Sequence, residues 1–270
     1  MSSARTPQVV VHRDEALLAA AVAARLVTCL VDAQAARGTA SVVLTGGGVG
    51  IASLASLAAC PARDAIDWSR LDVWWGDERF LPGGHPDRNE TQARAALLDA
   101  VDVDPARVHP MGATDSPDGP DPEGAASRYA DELATAAGSE RGGTTGGEGS
   151  SAVPAFDVLL LGMGPEGHVA SLFPESPALH DTRTVVAVHG SPKPPPTRLS
   201  LTLPAICSAR QVWLIVSGDD KAHAVRLAMG EAGPLQVPAA GARGTVRTLA
   251  LLDRAAASDL PPDLARIASP

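Results

Sequence analysis

Aromatic side chains make up only 3% of this 270-residue chain. A core large enough for that length must therefore be built mainly from Ala, Val and Leu. Cysteine is equally sparse. Cys29, Cys60 and Cys207 share no spacing motif, which excludes a disulfide scaffold and a thiolate metal site and points to reduced thiols in a cytoplasmic protein. Positive charge is in deficit: 22 Lys and Arg against 31 Asp and Glu give a net charge of -9. An acidic surface argues against bulk binding of nucleic acid or of an anionic membrane, and leaves an anionic small molecule only a local basic pocket. No uninterrupted apolar run approaches the roughly 20 residues of a membrane span, and the N-terminal MSSARTPQVV has no signal-peptide apolar core. Nor do His12, His85, His109, His168, His180, His189 and His223 fall at metal-ligand spacing, so no metal site is expected.

What is present is an alternation. Val9–Val11 forms a strand, and Asp14 caps an Ala-rich helix that Gly38 ends. Ser41–Leu44 is a strand running into TGGGVG and the helix IASLASLA, and LDVWWGDE is a third strand. Asn89 to Gln92 has capping-box spacing and opens a helix; an acidic helix ends near Ala137. Residues 138–153 are low in complexity and form a mobile surface loop. FDVLLLG, TRTVVAVHG, TRLSLTLP, QVWLIVSG and TVRTLALLD are further strands, and Asp219 or Asp220 caps the helix in GDDKAHAVRLAMG. Apolar strands alternating with helices predict a single α/β domain over residues 1–270, a mostly parallel sheet with helices on both faces. In such sheets ligands bind beyond the carboxyl ends of the strands. Three strand ends carry unusual residues: LTGGGVG, WWGDERF and LGMGPEGH.

Gly162-Met-Gly164-Pro-Glu-Gly167 fits G-x-G-x-x-G, but the dinucleotide reading fails on two counts. Pro174 limits any helix after it to about two turns, and the next strand ends in His189-Gly190 with no acid for a ribose. Gly46, Gly47 and Gly48 lack a P-loop Lys, yet their amides at a helix start, with the hydroxyl of Thr45, suit a phosphate. His168 stands at a strand-to-helix turn on the rim, where an imidazole can take a proton near neutral pH. Asp77 and Arg79 close the third strand: one orients a base or a hydroxyl, the other grips an anion. Lys193 and Arg198 sit on a stiff SPKPPPTR loop. Lys221 lies in a helix first turn, unfavourable beside the positive dipole end unless an anion binds there.

GMGPEGHVASLFP, WWGDERFLP, KPPPTRLSLTLPAI and SGDDKA, in that order along nearly the whole chain, resemble the 6-phosphogluconolactonase family. That resemblance implies a modified Rossmann-like sheet similar to that of glucosamine-6-phosphate deaminase. It implies a cytoplasmic enzyme that hydrolyses 6-phospho-D-glucono-1,5-lactone without a cofactor, with a small sugar-phosphate lactone as its partner and no nucleic acid, membrane or obligate protein partner. His168 would be the general base and Asp77 its helper. Thr45, Gly46, Gly47, Gly48, Arg79 and Lys221 would hold the phosphate, with Lys193 and Arg198 at the mouth or on the carbonyl oxygen. The chain departs from the family in having Glu166 for the usual Asp, and TLALLD where a Trp often stands. The rival on the same scaffold is an isomerase or deaminase, whose turn resembles this one but carries a glutamate five positions after the histidine; here Phe173 stands there. A non-catalytic sugar-phosphate sensor, or a lactonase that binds without turnover, are the remaining alternatives.

Overall fold

The computed structural model describes residues 6–117, 119–140, 153–230, 232–264 and 266–268. Seven parallel strands form the main sheet: β1 (Gln8–His12), β2 (Ala40–Leu44), β3 (Leu71–Trp75), β5 (Val158–Leu161), β8 (Gln211–Val216), β9 (Arg247–Asp253) and β10 (Arg266–Ile267), in the order β10-β1-β9-β8-β5-β2-β3. A second, antiparallel sheet of three strands is ordered β4 (Asp77–Arg79), β7 (Arg198–Leu201), β6 (Val185–Val188). The helices are α1 (Glu15–Arg37), α2 (Gly48–Ala59), α3 (Asn89–Ala96), α4 (Pro122–Glu140), α5 (Leu203–Cys207) and α6 (Ala222–Met229).

Helix α1 follows its local signals. The Asp14 carboxylate accepts a hydrogen bond from the N–H of Leu17, and Gly38 ends the helix at φ 82°, a conformation cheap only for glycine. By length and composition α1 could cross a membrane. Its Leu18, Val22, Leu26 and Leu30 are instead buried in the core. Strands β2, β5 and β8 are covered on both faces, which is why they are apolar nearly throughout. The few aromatics are not peripheral to that core. All four Trp, all three Phe and Tyr129 are buried, so the Ala/Val/Leu interior is built around them.

Three expectations need correction. LDVWWGDE is not one strand: it breaks at Gly76, whose N–H still bonds the carbonyl of Leu44, and Asp77–Arg79 leaves to pair with β7. TRTVVAVHG and TRLSLTLP lie in that second sheet rather than in the parallel one. In the low-complexity segment, residues 138–140 continue α4 and Val153 is buried, while 141–152 lie outside the described residues.

Helix α4 is fastened to β3 through His109. Its ring stacks on Trp74 at 3.8 Å, its Nδ1 meets Glu132 at 2.6 Å, and its Nε2 lies 3.5 Å from Asp72. Burial opposes a charge on this ring, but hydrogen bonding and charge from Asp72 and Glu132 outweigh it and lift the pKa to about 9. A raised histidine pKa stabilises the fold fully below the unfolded value near 6.5 and ceases to do so as pH rises through about 9. Urea melts of His109→Phe should therefore fall short of the native chain by on the order of 1–2 kcal/mol at pH 6 and converge with it above pH 9. An unchanged gap across that range would mean the clamp is packing alone.

Candidate active site

The three unusual strand ends do meet. Strands β3 and β2 lie on one side of a reversal in strand order, with β5, β8 and β9 on the other, and the crevice at the carboxyl ends of β2 and β5 is the switch point where open sheets bind ligands. There the N–H of Gly162 donates to Oγ1 of Thr45 at 3.2 Å, tying the two strand ends together. A cavity of about 400 Å³ opens above them. Its walls include Thr45, Gly46, Gly47, Asp77, Arg79, His168, Lys193, Arg198 and Lys221, every residue singled out from the sequence except Gly48. Gly48 is the first residue of α2, and side-chain atoms added at Gly47 or Gly48 would meet open space. Gly47, at φ 82°, turns the chain into α2, so backbone amides and the positive end of the helix face the opening. The chain has two lysines in all, Lys193 and Lys221, and both line this cavity.

His168 does not open a helix. Val169 and Leu172 form an isolated bridge and Ala170 adopts φ 51°, so HVASLF is a tight turn. Within it the imidazole packs on the ring of Phe173, centroids 4.4 Å apart. Nδ1 is buried, with Oε1 of Glu166 at 3.0 Å but off the line of a hydrogen bond. Nε2 is thereby the ring nitrogen left for the cavity. Burial holds the pKa of His168 below 6.5; Glu166 and Asp77 pull it up, and Lys193 pushes it down. That direction favours the uncharged ring, the form a general base needs. Burial raises the Glu166 carboxyl, but a backbone hydrogen bond, His168 and Lys193 more than offset it and keep it ionised. Its Oε2 accepts from Lys193 Nζ at 3.2 Å. The longer side chain thus reaches both partners at once.

Gly164 holds the ring from behind. A Cβ there would lie 2.1 Å from Nδ1 of His168, closer than any real contact allows. Gly164→Ala should displace the imidazole and cost on the order of 100-fold in turnover, with substrate affinity less affected. Steady-state kinetics check this, and wild-type kcat would show that the ring position is not critical.

Asp77 and Arg79 are set by the β4–β7 ladder, which pairs Asp77 with Ser200 and Arg79 with Arg198. Asp77 is buried; its Oδ2 accepts from Ser171 Oγ at 2.7 Å, while Ser200 Oγ accepts from the N–H of Ser171 at 3.2 Å. The carboxylate therefore fixes the turn that carries His168. Arg79 Nη1 donates to the Asp87 carbonyl and its Nε is buried without a partner, which leaves the guanidinium available to an anion. Arg198, 5% exposed, donates to the carbonyls of Lys193, Pro194 and Pro195 and lies over the Phe173 ring. It shapes the proline loop that presents Lys193. Lys221 Nζ reaches the Ser217 carbonyl at 2.7 Å and Asp220 at 3.3 Å. Its neighbours Asp219 and Asp220 do not cap α6, whose N-cap is Lys221 itself without a side-chain bond.

Two site residues escaped the sequence reading. Asn89 does not use its side chain as a cap; Nδ2 donates to the carbonyl of Asp77 at 2.8 Å and to its Oδ1 at 3.3 Å. Helix α3 is capped instead by Glu78, whose carboxylate accepts from the N–H groups of Asn89 and Glu90. Burial drives the Glu78 pKa up to about 7 against the opposing pull of Arg88 and these N–H groups. The only available signal was the acidic pair itself, adjacent in sequence and divided between cavity and helix.

Residues 13–250 match the family described as glucosamine-6-phosphate isomerases/6-phosphogluconolactonase. The chain is 65% identical to a 6-phosphogluconolactonase of Streptomyces coelicolor over 260 residues, 96% of this chain and 97% of that one. It is 52% identical to one of Mycobacterium tuberculosis over 249 residues, 92% and 96% of the two chains. Among solved structures, 6-phosphogluconolactonase of Trypanosoma brucei matches with a TM-score of 0.79 at 28% identity, covering 96% of this chain and 100% of that one.

Proposed function

The chain belongs to the glucosamine-6-phosphate isomerase/6-phosphogluconolactonase family, and on that footing we propose that its β2–β5 crevice is a lactonase centre with His168 as general base. The enzyme hydrolyses 6-phospho-D-glucono-1,5-lactone to 6-phosphogluconate. The observation that carries the mechanism is an imidazole whose Nδ1 is enclosed beside Glu166, in the wall of a cavity that also holds Arg79 and both lysines.

The phosphate rests on the Gly46 and Gly47 amides before α2, with Arg79, Lys221 and Thr45 around it. At the other end His168 Nε2 takes a proton from water as its oxygen bonds to C1 of the lactone. The tetrahedral intermediate carries its negative charge on the former carbonyl oxygen, near Lys193. The bond from C1 to the ring oxygen then breaks, the electron pair goes to that oxygen, and the imidazolium returns the proton to it. Asp77 holds the turn and favours the imidazolium as it forms. The route calls on no cofactor and no partner beyond the lactone, and fits a cytoplasmic setting.

An isomerase or deaminase is disfavoured by Phe173, an apolar side chain packed on the His168 ring where that chemistry would place a carboxylate. Glucose-6-phosphate dehydrogenase can generate the lactone in place while its disappearance is followed. The protein should accelerate decay well beyond the spontaneous rate; decay at the spontaneous rate with sugar-phosphate binding intact would favour a sensor.

A further inference from the structure

A δ-lactone is an acylating agent, and this enzyme binds it beside a primary amine. Lys193 Nζ and His168 Nδ1 share one carboxylate, Glu166, at 3.2 Å and 3.0 Å. The amine is therefore within one carboxyl group of the imidazole that works on C1. Its side chain is 42% exposed and lines the cavity. Lys221 differs: its Nζ is held by the Ser217 carbonyl and Asp220, at the phosphate end of the proposed site.

We propose that Lys193 is a site of self-acylation by the enzyme's own substrate, held in check by Glu166; the inference rests on the lactonase reading above. In the neutral form Nζ attacks C1 in place of water. The C1–ring-oxygen bond breaks, the electron pair goes to the ring oxygen, and the proton lost by nitrogen ends on that oxygen. The product is an amide between Lys193 and 6-phosphogluconate, with no other co-reactant. The salt bridge to Glu166 draws Nζ toward the carboxylate and competes with its approach to C1. Glu166 so serves twice, beside the base and as a restraint on the competing nucleophile. The amide would neutralise Lys193 and fill the cavity, ending that molecule's activity.

The test follows lactone hydrolysis and peptide mass in one tube, with lactone generated from glucose 6-phosphate by its dehydrogenase, for the native enzyme, Glu166→Gln and Lys193→Arg. The expected result is an adduct of one lactone mass on the Lys193 peptide that grows with turnovers and is absent from Lys221. Its yield per turnover should rise about two- to fivefold in Glu166→Gln, the worth of a half-exposed ion pair; Lys193→Arg should carry none. Equal labelling of both lysines, or an unlabelled Lys193 in the native enzyme after sustained turnover, would overturn the proposal. Loss of hydrolysis in the native enzyme would instead overturn the lactonase reading, and the same rate trace separates the two.

Discussion

Asp77→Ala should lower kcat by on the order of 100-fold and destabilise the fold by about 2–4 kcal/mol. The stability loss follows from what the carboxylate satisfies. Its removal orphans the Ser171 hydroxyl and one Asn89 N–H donor, both buried, at about 1–3 kcal/mol each. The kinetic loss follows from position. Ser171 lies three residues beyond His168 in a turn with no helix of its own, so releasing it lets the imidazole wander from the carbonyl it must serve. Asp77 also supplies a charge that raises the His168 pKa, so its loss should move the acid limb of the pH–rate profile to lower pH. Urea melts and kinetics on the same preparation separate the two effects. Asp77→Asn keeps the shape and an acceptor but not the charge, so it should recover much of the stability while leaving turnover depressed. Full recovery of rate in Asp77→Asn would reduce Asp77 to a packing role.

His168→Ala should remove on the order of 10² to 10⁴ in kcat, the usual worth of a positioned general base. KM should change little, because the proposed phosphate site of Arg79, Lys221 and the glycine-loop amides does not depend on the ring. The fold should survive. Among the described residues Nδ1 has no hydrogen-bond partner, and the charged ring is disfavoured by burial, so little electrostatic stability is lost. A matching rise in KM with kcat intact would assign His168 to substrate binding instead.

Much of this site was legible because it is built from local signals. Glycines at Gly46–Gly48 and Gly162–Gly167 mark strand ends, and polar residues there have no reason to follow apolar strands unless they face a ligand. The parallel sheet brings such ends to one rim whatever their separation in sequence. What was not legible depends on long-range pairing. Nothing in LDVWWGDE announces that Asp77–Arg79 leaves the sheet, because the partner β7 lies over 110 residues away. The exchange of roles between Asn89 and Glu78 follows from that departure: Asn89 shows capping spacing, but the buried carboxylate of Glu78 on β4 displaces it. The turn after His168 looked like a short helix because its composition allows one. Ala170 at φ 51° is imposed by the packing around it, not by its own preference.

The central claim is that a neutral His168 takes the proton from water. The pH dependence of kcat/KM for lactone hydrolysis, corrected for spontaneous decay, tests it directly in the native enzyme and in His168→Ala. The account predicts a single acid limb with an apparent pKa below 6.5, a plateau through neutrality, and loss of that limb together with most of the rate in the variant. A variant that keeps the native rate, or the same acid limb, would contradict it.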